Sequence, residues 1–276
     1  MPSPTQISVL HLLRLIGTQK CPVLIDVCID EDFADDPRLV PTAFRYPFPR
    51  INELVPRLGN KKAVVICQKG LKLSEGAAAL LRAEGIDAEH LEGGNFAWRD
   101  ANAPLVPAKI IPKRNLKGHT QWVTGHGPGI VRIACTWLIR RFVDPDARFL
   151  FVSPSEVLNI AEKFDAVPFD VESVFWSHRN EKNTFDTMLE EFQLGSKQLT
   201  RMADIIRGCE INHREAAPES AGLFAVFSGF SRLHEGDLGR LEVGMLFYDG
   251  LYRWACDAAD EVHNWYPPTK ALNPHE

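Results

Sequence analysis

In the first half of the chain, apolar residues gather in short unbroken runs. Residues 22–27 form a compact β-type run that ends on Asp26 and Val27. Residues 63–66 (Ala63-Val64-Val65-Ile66) read as a second, fully buried strand, and residues 88–91 as a third that stops at Gly93-Gly94. Helical spacing occupies residues 7–17 and 74–84, the latter Ala-rich and stopped by Gly85. Strand, helix and strand alternating at this interval predict βαβ units and a parallel sheet. Residues 30–50, with Asp, Pro and Arg interleaved, read as loop.

Between residues 103 and 120 the pattern fails, and Pro104, Pro107, Pro112, Lys109, Lys113 and Lys117 dominate. Beyond it the apolar period becomes mostly helical. Helices are predicted over residues 131–142, 155–164, 184–192, 197–207, 219–230 and 237–259, with strands at 149–152 and 168–171. The expected fold class is α/β: a parallel-sheet domain at residues 5–105, a linker at 106–120, and a mainly α-helical domain with a few strands at 121–268. The aromatic residues Trp137, Phe142, Phe149, Phe151, Tyr252 and Trp254 read as core.

Charge and composition narrow the function classes. The net charge of −5 lacks the basic footprint of a nucleic-acid binder. No apolar run approaches the roughly 18 residues of a membrane span, and the start of the chain lacks the signature of a secretory signal. The six cysteines, at 21, 28, 67, 135, 209 and 256, form no C-x-x-C pair, so reduced thiols in a cytoplasmic protein are expected.

One of them carries candidate chemistry. Cys67 ends the second strand and opens the loop Cys67-Gln68-Lys69-Gly70-Leu71-Lys72, after which the Ala-rich helix begins. Backbone N–H groups and the helix dipole at that turn favour negative charge, and Lys69 and Lys72 add to it. A thiolate is therefore expected, beside a seat for a small anion. A phosphatase loop would need Arg at position 73, where this chain has Leu73. Asp26 reads as structural, bonding backbone or loop groups.

Taken together, Leu24-Ile25-Asp26-Val27, the six-residue loop from Cys67, and Gly93-Gly94-Asn95-Phe96-Ala97-Trp98 resemble a rhodanese domain over about residues 5–105. The resemblance implies a small α/β fold and a persulfide on Cys67, with Gln68, Lys69, Gly70, Leu71 and Lys72 as the substrate-binding loop. It departs from the usual pattern at Cys28 and Gln68, where Arg is common, and at Leu73, which intervenes before Ser74. These departures bear on substrate preference.

The second half resembles the C-terminal domain of ChrB-type chromate resistance proteins over about residues 120–265. The residues that carry this resemblance include Trp122-Val123-Thr124, Arg132 through Asp144, Ser177-His178, Thr184-Phe185-Asp186 and Gly244-Met245-Leu246-Phe247-Tyr248-Asp249. Arg132, Thr136 and Arg140 recur every four positions and form a candidate oxyanion-binding stripe. The alternative for that stripe is a solvated or salt-bridged face. His178 and Cys135 are the candidate metal ligands, against a structural histidine and a core thiol. Where the related pattern has a cysteine before Thr184, this chain has Asn183, which weakens a Cys/His metal site.

The resulting expectation is a cytoplasmic sulfurtransferase tied to chromate or oxyanion resistance. Its partners are a small anionic sulfur donor such as thiosulfate and a thiol or cyanide acceptor, with chromate as a further ligand. No cofactor, membrane or nucleic-acid partner is called for. The alternative is a non-enzymatic chromate- or metal-sensing regulator that uses the C-terminal domain.

Overall fold

In the computed structural model, which describes residues 5–210 and 217–258, the short apolar runs of the first half become strands of one parallel sheet. The elements begin β1 (Gln6–Ile7), α1 (Val9–Leu15), β2 (Val23–Asp26), α2 (Asp30–Asp35), β3 (Arg38–Leu39) and β4 (Phe44–Arg45). A 3₁₀ turn at Phe48–Leu54 leads into α3 (Val55–Leu58), β5 (Ala63–Ile66), α4 (Lys72–Ala83), β6 (Ala88–Leu91), α5 (Gly94–Asp100) and β7 (Val106–Pro107). The sheet order is β1-β6-β5-β2-β4, and every neighbouring pair is parallel. Every residue of β5 is buried. Its side chains alternate between two apolar clusters, Val64 and Ile66 in one, Ala63 and Val65 in the other. That is why the strand is apolar throughout: both of its faces are covered.

Two segments differ from the sequence expectation. The stretch at residues 30–50 read as loop contains α2 and the start of the 3₁₀ turn. Asp30, Glu31 and Asp32 occupy the first turn of α2, where acidic side chains complement the helix dipole, and Pro49 opens the 3₁₀ turn with its φ already set. The stretch at residues 106–120, expected to be a linker, is tied down at both ends. Its first two residues form β7, which pairs antiparallel with β3. Near its other end Arg114 Nη1 donates to Asp144 Oδ1 at 2.6 Å, and the Thr120 N–H donates to Asp144 Oδ2 at 2.6 Å.

The second half continues with β8 (Gln121–Gly125), α6 (Ile130–Leu138), a π turn at Ile139–Val143, β9 (Arg148–Val152), a 3₁₀ turn at Pro154–Glu156, α7 (Val157–Phe164) and β10 (Val167–Pro168). Then come α8 (Thr184–Glu191), α9 (Lys197–Gly208), α10 (Ser220–Leu233) and α11 (Asp237–Asp257). The three strands form a parallel sheet in the order β10-β8-β9. The fold is thus α/β, with a parallel sheet in the first half and a mostly helical second half. Residue 259 of the expected last helix, and the expected domain end at 268, lie outside the described residues.

The largest apolar cluster does not stop at the middle of the chain. It joins Ile7, Leu12 and Trp98 to Trp122, Trp137 and Tyr248. Among the described residues, no helix is long and apolar enough to cross a membrane.

Candidate functional site

Cys67 sits where β5 ends, and five residues on, α4 starts at Lys72. The thiol is nearly covered, at 5% exposure, and its Sγ lies 3.1 Å from the Ser74 hydroxyl. That hydroxyl is also 3.2 Å from the Leu71 carbonyl. A hydroxyl has one proton to give. When the sulfur is a thiol, it donates to Ser74, which donates to Leu71. When the sulfur is an anion, Ser74 turns its proton toward it. Ser74 therefore supplies a donor that serves the charged form, at the first turn of α4.

The loop keeps its shape because another backbone rests on it. The N–H groups of Asn95 and Phe96 donate to the carbonyls of Cys67 and Gln68, both at 3.0 Å. Such an approach excludes side chains: a Cβ on Gly94 would lie 2.1 Å from the Cys67 oxygen, and Gly94 has φ +59. Lys69, Leu71 and Lys72 are exposed, Gln68 is half-buried and Gly70 is buried. Neither lysine has an ion-pair partner among the described residues, so both charges remain available to an approaching anion.

Behind the loop lies a buried polar knot. Asp26 accepts from the Cys28 N–H at 3.0 Å and from Asn95 Nδ2 at 2.9 Å. The Cys28 thiol points at the same carboxylate, 3.6 Å away. Burial raises the Asp26 pKa above the ordinary carboxylate value, although these hydrogen bonds pull the other way. Burial, and then the neighbouring Asp26 charge, push the Cys28 thiol well up, so that it stays protonated at neutral pH. The position that commonly holds Arg is thus filled by a neutral group bonded to Asp26, and Asn95, which donates to both, ties the pair to the loop through its N–H on the Cys67 carbonyl.

In the second half, the structure does not bring Arg132, Thr136 and Arg140 together. Thr136 is fully buried and donates to the Ile133 carbonyl at 2.7 Å. Arg132 donates through Nε to Asp170 at 2.8 Å and through Nη1 to the Gly125 carbonyl at 3.1 Å. Arg140 reaches the Ala147 carbonyl at 3.3 Å and lies over the Phe149 ring. The every-fourth-residue spacing fails because α6 ends at Leu138 and the chain continues as a π turn. The wider turn carries Arg140 off the face that Arg132 occupies.

His178 and Cys135 are also separated. Cys135 is wholly buried in the core, and burial raises its pKa well above the ordinary thiol value. His178 is exposed, with Nδ1 3.4 Å from the Ser177 hydroxyl. Among the described residues, no three His, Cys, Asp or Glu side chains converge as a metal site. Arg132 and His178 do share one feature: both line a cavity of about 770 Å³.

Residues 122–255 match the family model described as the ChrB C-terminal domain. Protein ChrB of Cupriavidus metallidurans is 33% identical over 169 residues, which cover 56% of this chain and 50% of that protein. The uncharacterized protein slr1261 of Synechocystis is 32% identical over 117 residues, covering 41% of this chain and 64% of its own length. The chain therefore spans only about half to under two thirds of the curated relatives it matches. Among solved structures, a rhodanese-related protein from Thermoplasma volcanium is 24% identical, with a TM-score of 0.32, over 37% of this chain and 96% of that one.

The roles of two residues went unread in the sequence. In the first half, Ser74 read only as the opening of a helix, although a hydroxyl in the first turn after a cysteine loop was a usable signal. In the second half, Asn183 caps α8. Its Oδ1 accepts from the Asp186 N–H at 3.0 Å, while Asp186 Oδ2 accepts from the Asn183 N–H at 3.1 Å. The signal was Asn183-Thr184-Phe185-Asp186, a reciprocal cap in which Asp takes the place of Glu.

Proposed function

We propose that the chain is a cytoplasmic sulfurtransferase that carries sulfur as a persulfide on Cys67, and that it serves chromate or oxyanion resistance. The observation that supports this most is the seat of Cys67: a thiol at the mouth of α4, 3.1 Å from the Ser74 hydroxyl, on a loop whose two lysines lack ion-pair partners among the described residues. In the first step the Cys67 thiolate attacks the outer sulfur of thiosulfate. A bond forms between Sγ and that sulfur, the sulfur–sulfur bond of thiosulfate breaks, and sulfite leaves with the electron pair. In the second step cyanide, or a thiolate, attacks the outer sulfur of the persulfide. Cyanide leaves as thiocyanate and the Cys67 thiolate is regenerated. Covalent catalysis of this kind divides one transfer into two easier ones. Lys69, Lys72 and the loop amides draw in the doubly charged donor, and Ser74 donates to whichever sulfur anion is present. The link to chromate comes with the ChrB-type domain.

The test is a thiosulfate:cyanide assay with mass spectrometry of the intact chain. Wild type is expected to form thiocyanate and, after thiosulfate alone, to gain about 32 Da at Cys67, one sulfur atom. Cys67→Ser is expected to do neither. Equal turnover in the two proteins would exclude a persulfide on Cys67.

A further inference from the structure

The second sheet has a property that the sulfur chemistry does not use. Its strands lie in the order β10-β8-β9, so the chain leaves the central strand, fills one side, then crosses to the other. Where two connections diverge at the carboxyl end of a central parallel strand, a crevice opens, and open α/β sheets receive their ligands there. In this chain the crevice is the 770 Å³ cavity. Its lining includes Gly127 and Gly129 of the turn after β8, Ile130 at the start of α6, and Asp170 just past β10. It is roofed by Phe227 and Phe230 of α10, whose ring centroids are 6.3 Å apart.

One end of this cavity is rich in donors. α6 begins at Ile130 with no side-chain cap, so its dipole faces the turn unscreened by a capping oxygen. Arg240 lends Nε to the His234 carbonyl and Nη2 to the Ser231 carbonyl, and its Nη1 lies beside Gly127. Asn183, only 4% exposed, uses Oδ1 to cap α8, and its Nδ2 has no hydrogen-bond partner among the described residues. A buried amide donor without an acceptor is costly, and Asn183 is among the residues that line the cavity. Of the carboxylates here, Asp170 is neutralised, since it accepts from Arg132 Nε at 2.8 Å and from the Thr184 hydroxyl at 2.6 Å, and Asp237 accepts from the Gly127 N–H at 2.9 Å. Glu181 and Glu210 are the remaining carboxylates of the lining. The α10 side of the lining carries Phe224, Phe227 and Phe230, with Ser228 and Ser231 between and beside them.

We infer that this cavity binds a small organic anion, with its acidic group at the start of α6 against Arg240 and Asn183 Nδ2, and its apolar body against Phe227 and Phe230. A bare tetrahedral oxyanion does not account for the space, since cavities of about 300–1,000 Å³ suit molecules of drug size. Nothing in this assignment depends on Cys67, so it stands or fails separately from persulfide formation.

The probe is 8-anilinonaphthalene-1-sulfonate, an aromatic body with one anionic group, titrated into the full chain and followed by its fluorescence. Saturable one-to-one binding is expected. Asn183→Asp keeps the oxygen that caps α8 and replaces the donor with an acceptor, and it is expected to weaken binding at least tenfold. Arg240→Gln is expected to do the same, and thermal melting establishes that each variant folds. The neutral analogue N-phenyl-1-naphthylamine is expected to bind wild type at least tenfold more weakly. Unchanged affinity in both variants, equal affinity for the neutral analogue, or displacement by sodium sulfate at the probe's own concentration would each overturn the assignment.

Discussion

The Ser74 hydroxyl is shared between two acceptors that compete for its single proton, the Leu71 carbonyl at 3.2 Å and Cys67 Sγ at 3.1 Å. While the sulfur is protonated, the carbonyl holds that proton. Once the sulfur is charged, whether as thiolate or as persulfide, a hydrogen bond to it is worth more than one to a neutral carbonyl, by the margin that separates charged from neutral pairs. Such bonds contribute about 1.5–3 kcal/mol when one partner is ionised. Ser74→Ala is therefore expected to slow sulfur transfer by about tenfold or more, since about 1.4 kcal/mol corresponds to tenfold in rate. Its melting temperature is expected to stay close to that of wild type, because Ala suits a helix interior. Turnover measured at saturating thiosulfate, set beside a melting curve, checks this. A large loss of stability with unaltered turnover would show that the hydroxyl serves the fold and not the sulfur. Cys28 provides the contrast. Its thiol is held protonated by burial and by Asp26, which together outweigh the Asn95 Nδ2 donor 3.4 Å from its sulfur.

At the level of elements, the decisive contact is between the start of α5 and the Cys67 loop. Gly94 takes φ +59, and its Cα approaches so closely that an added Cβ would meet the Cys67 oxygen at 2.1 Å and the Gly70 nitrogen at 2.4 Å. Both neighbours are backbone and cannot swing aside. Gly94→Ala is expected to cost about 2–4 kcal/mol from the positive φ and the displaced loop together, and to lower the melting temperature by on the order of 10 °C. Turnover should fall as well, because the loop carries the sulfur. Calorimetry and the thiocyanate assay on one preparation measure both effects. This contact also marks how far the sequence alone could be read. β5, the loop and α4 were legible because strand, turn and helix adjoin one another and each follows its own periodicity. Gly93-Gly94 was legible as punctuation. What the glycines press against was not, since that depends on how α5 folds back. The same limit hid the Asn95–Asp26 bond, which spans 69 positions, and the pairing of β3 with β7 inside a stretch that read as linker. The arginine stripe failed for a different reason. Four-residue spacing assumes a continuous α-helix, and the π turn after Leu138 breaks that assumption.

Across the whole molecule, the two halves are joined by polar groups as well as by the shared apolar cluster. The Thr42 N–H donates to the Phe142 carbonyl at 2.9 Å, and Gly17 lies where a Cβ would be 2.6 Å from Phe142 and Tyr252. The densest of these junctions is Asp249 on α11. Arg141 donates to it through Nε at 2.7 Å and Nη2 at 2.8 Å, Trp137 Nε1 donates at 2.9 Å, and Gln19 Nε2 reaches it from the first half at 2.7 Å. Burial alone would raise the pKa of this carboxyl. The hydrogen bonds from Arg141, Gln19 and Trp137, with the Arg141 charge, outweigh burial and hold it below the ordinary value of 3.8. A carboxylate with a depressed folded pKa contributes stability that is fully present above the unfolded value and is lost as pH falls through the folded one. Asp249→Asn keeps an acceptor but loses the charge, so at pH 7 it is expected to be less stable by about 1–3 kcal/mol. Because several other carboxylates titrate in the same range, the informative quantity is the difference between wild type and variant. That difference should hold constant from neutral pH down to about 5 and shrink below about 4 as the wild-type carboxyl takes up its proton. Urea unfolding from pH 3 to pH 7 measures it. Since Gln19 and α11 belong to opposite halves, the variant should lower the unfolding midpoint of amides in both β5 and α9, read by hydrogen exchange. A loss confined to α9 and α11 would mean that the junction stabilises the second half alone.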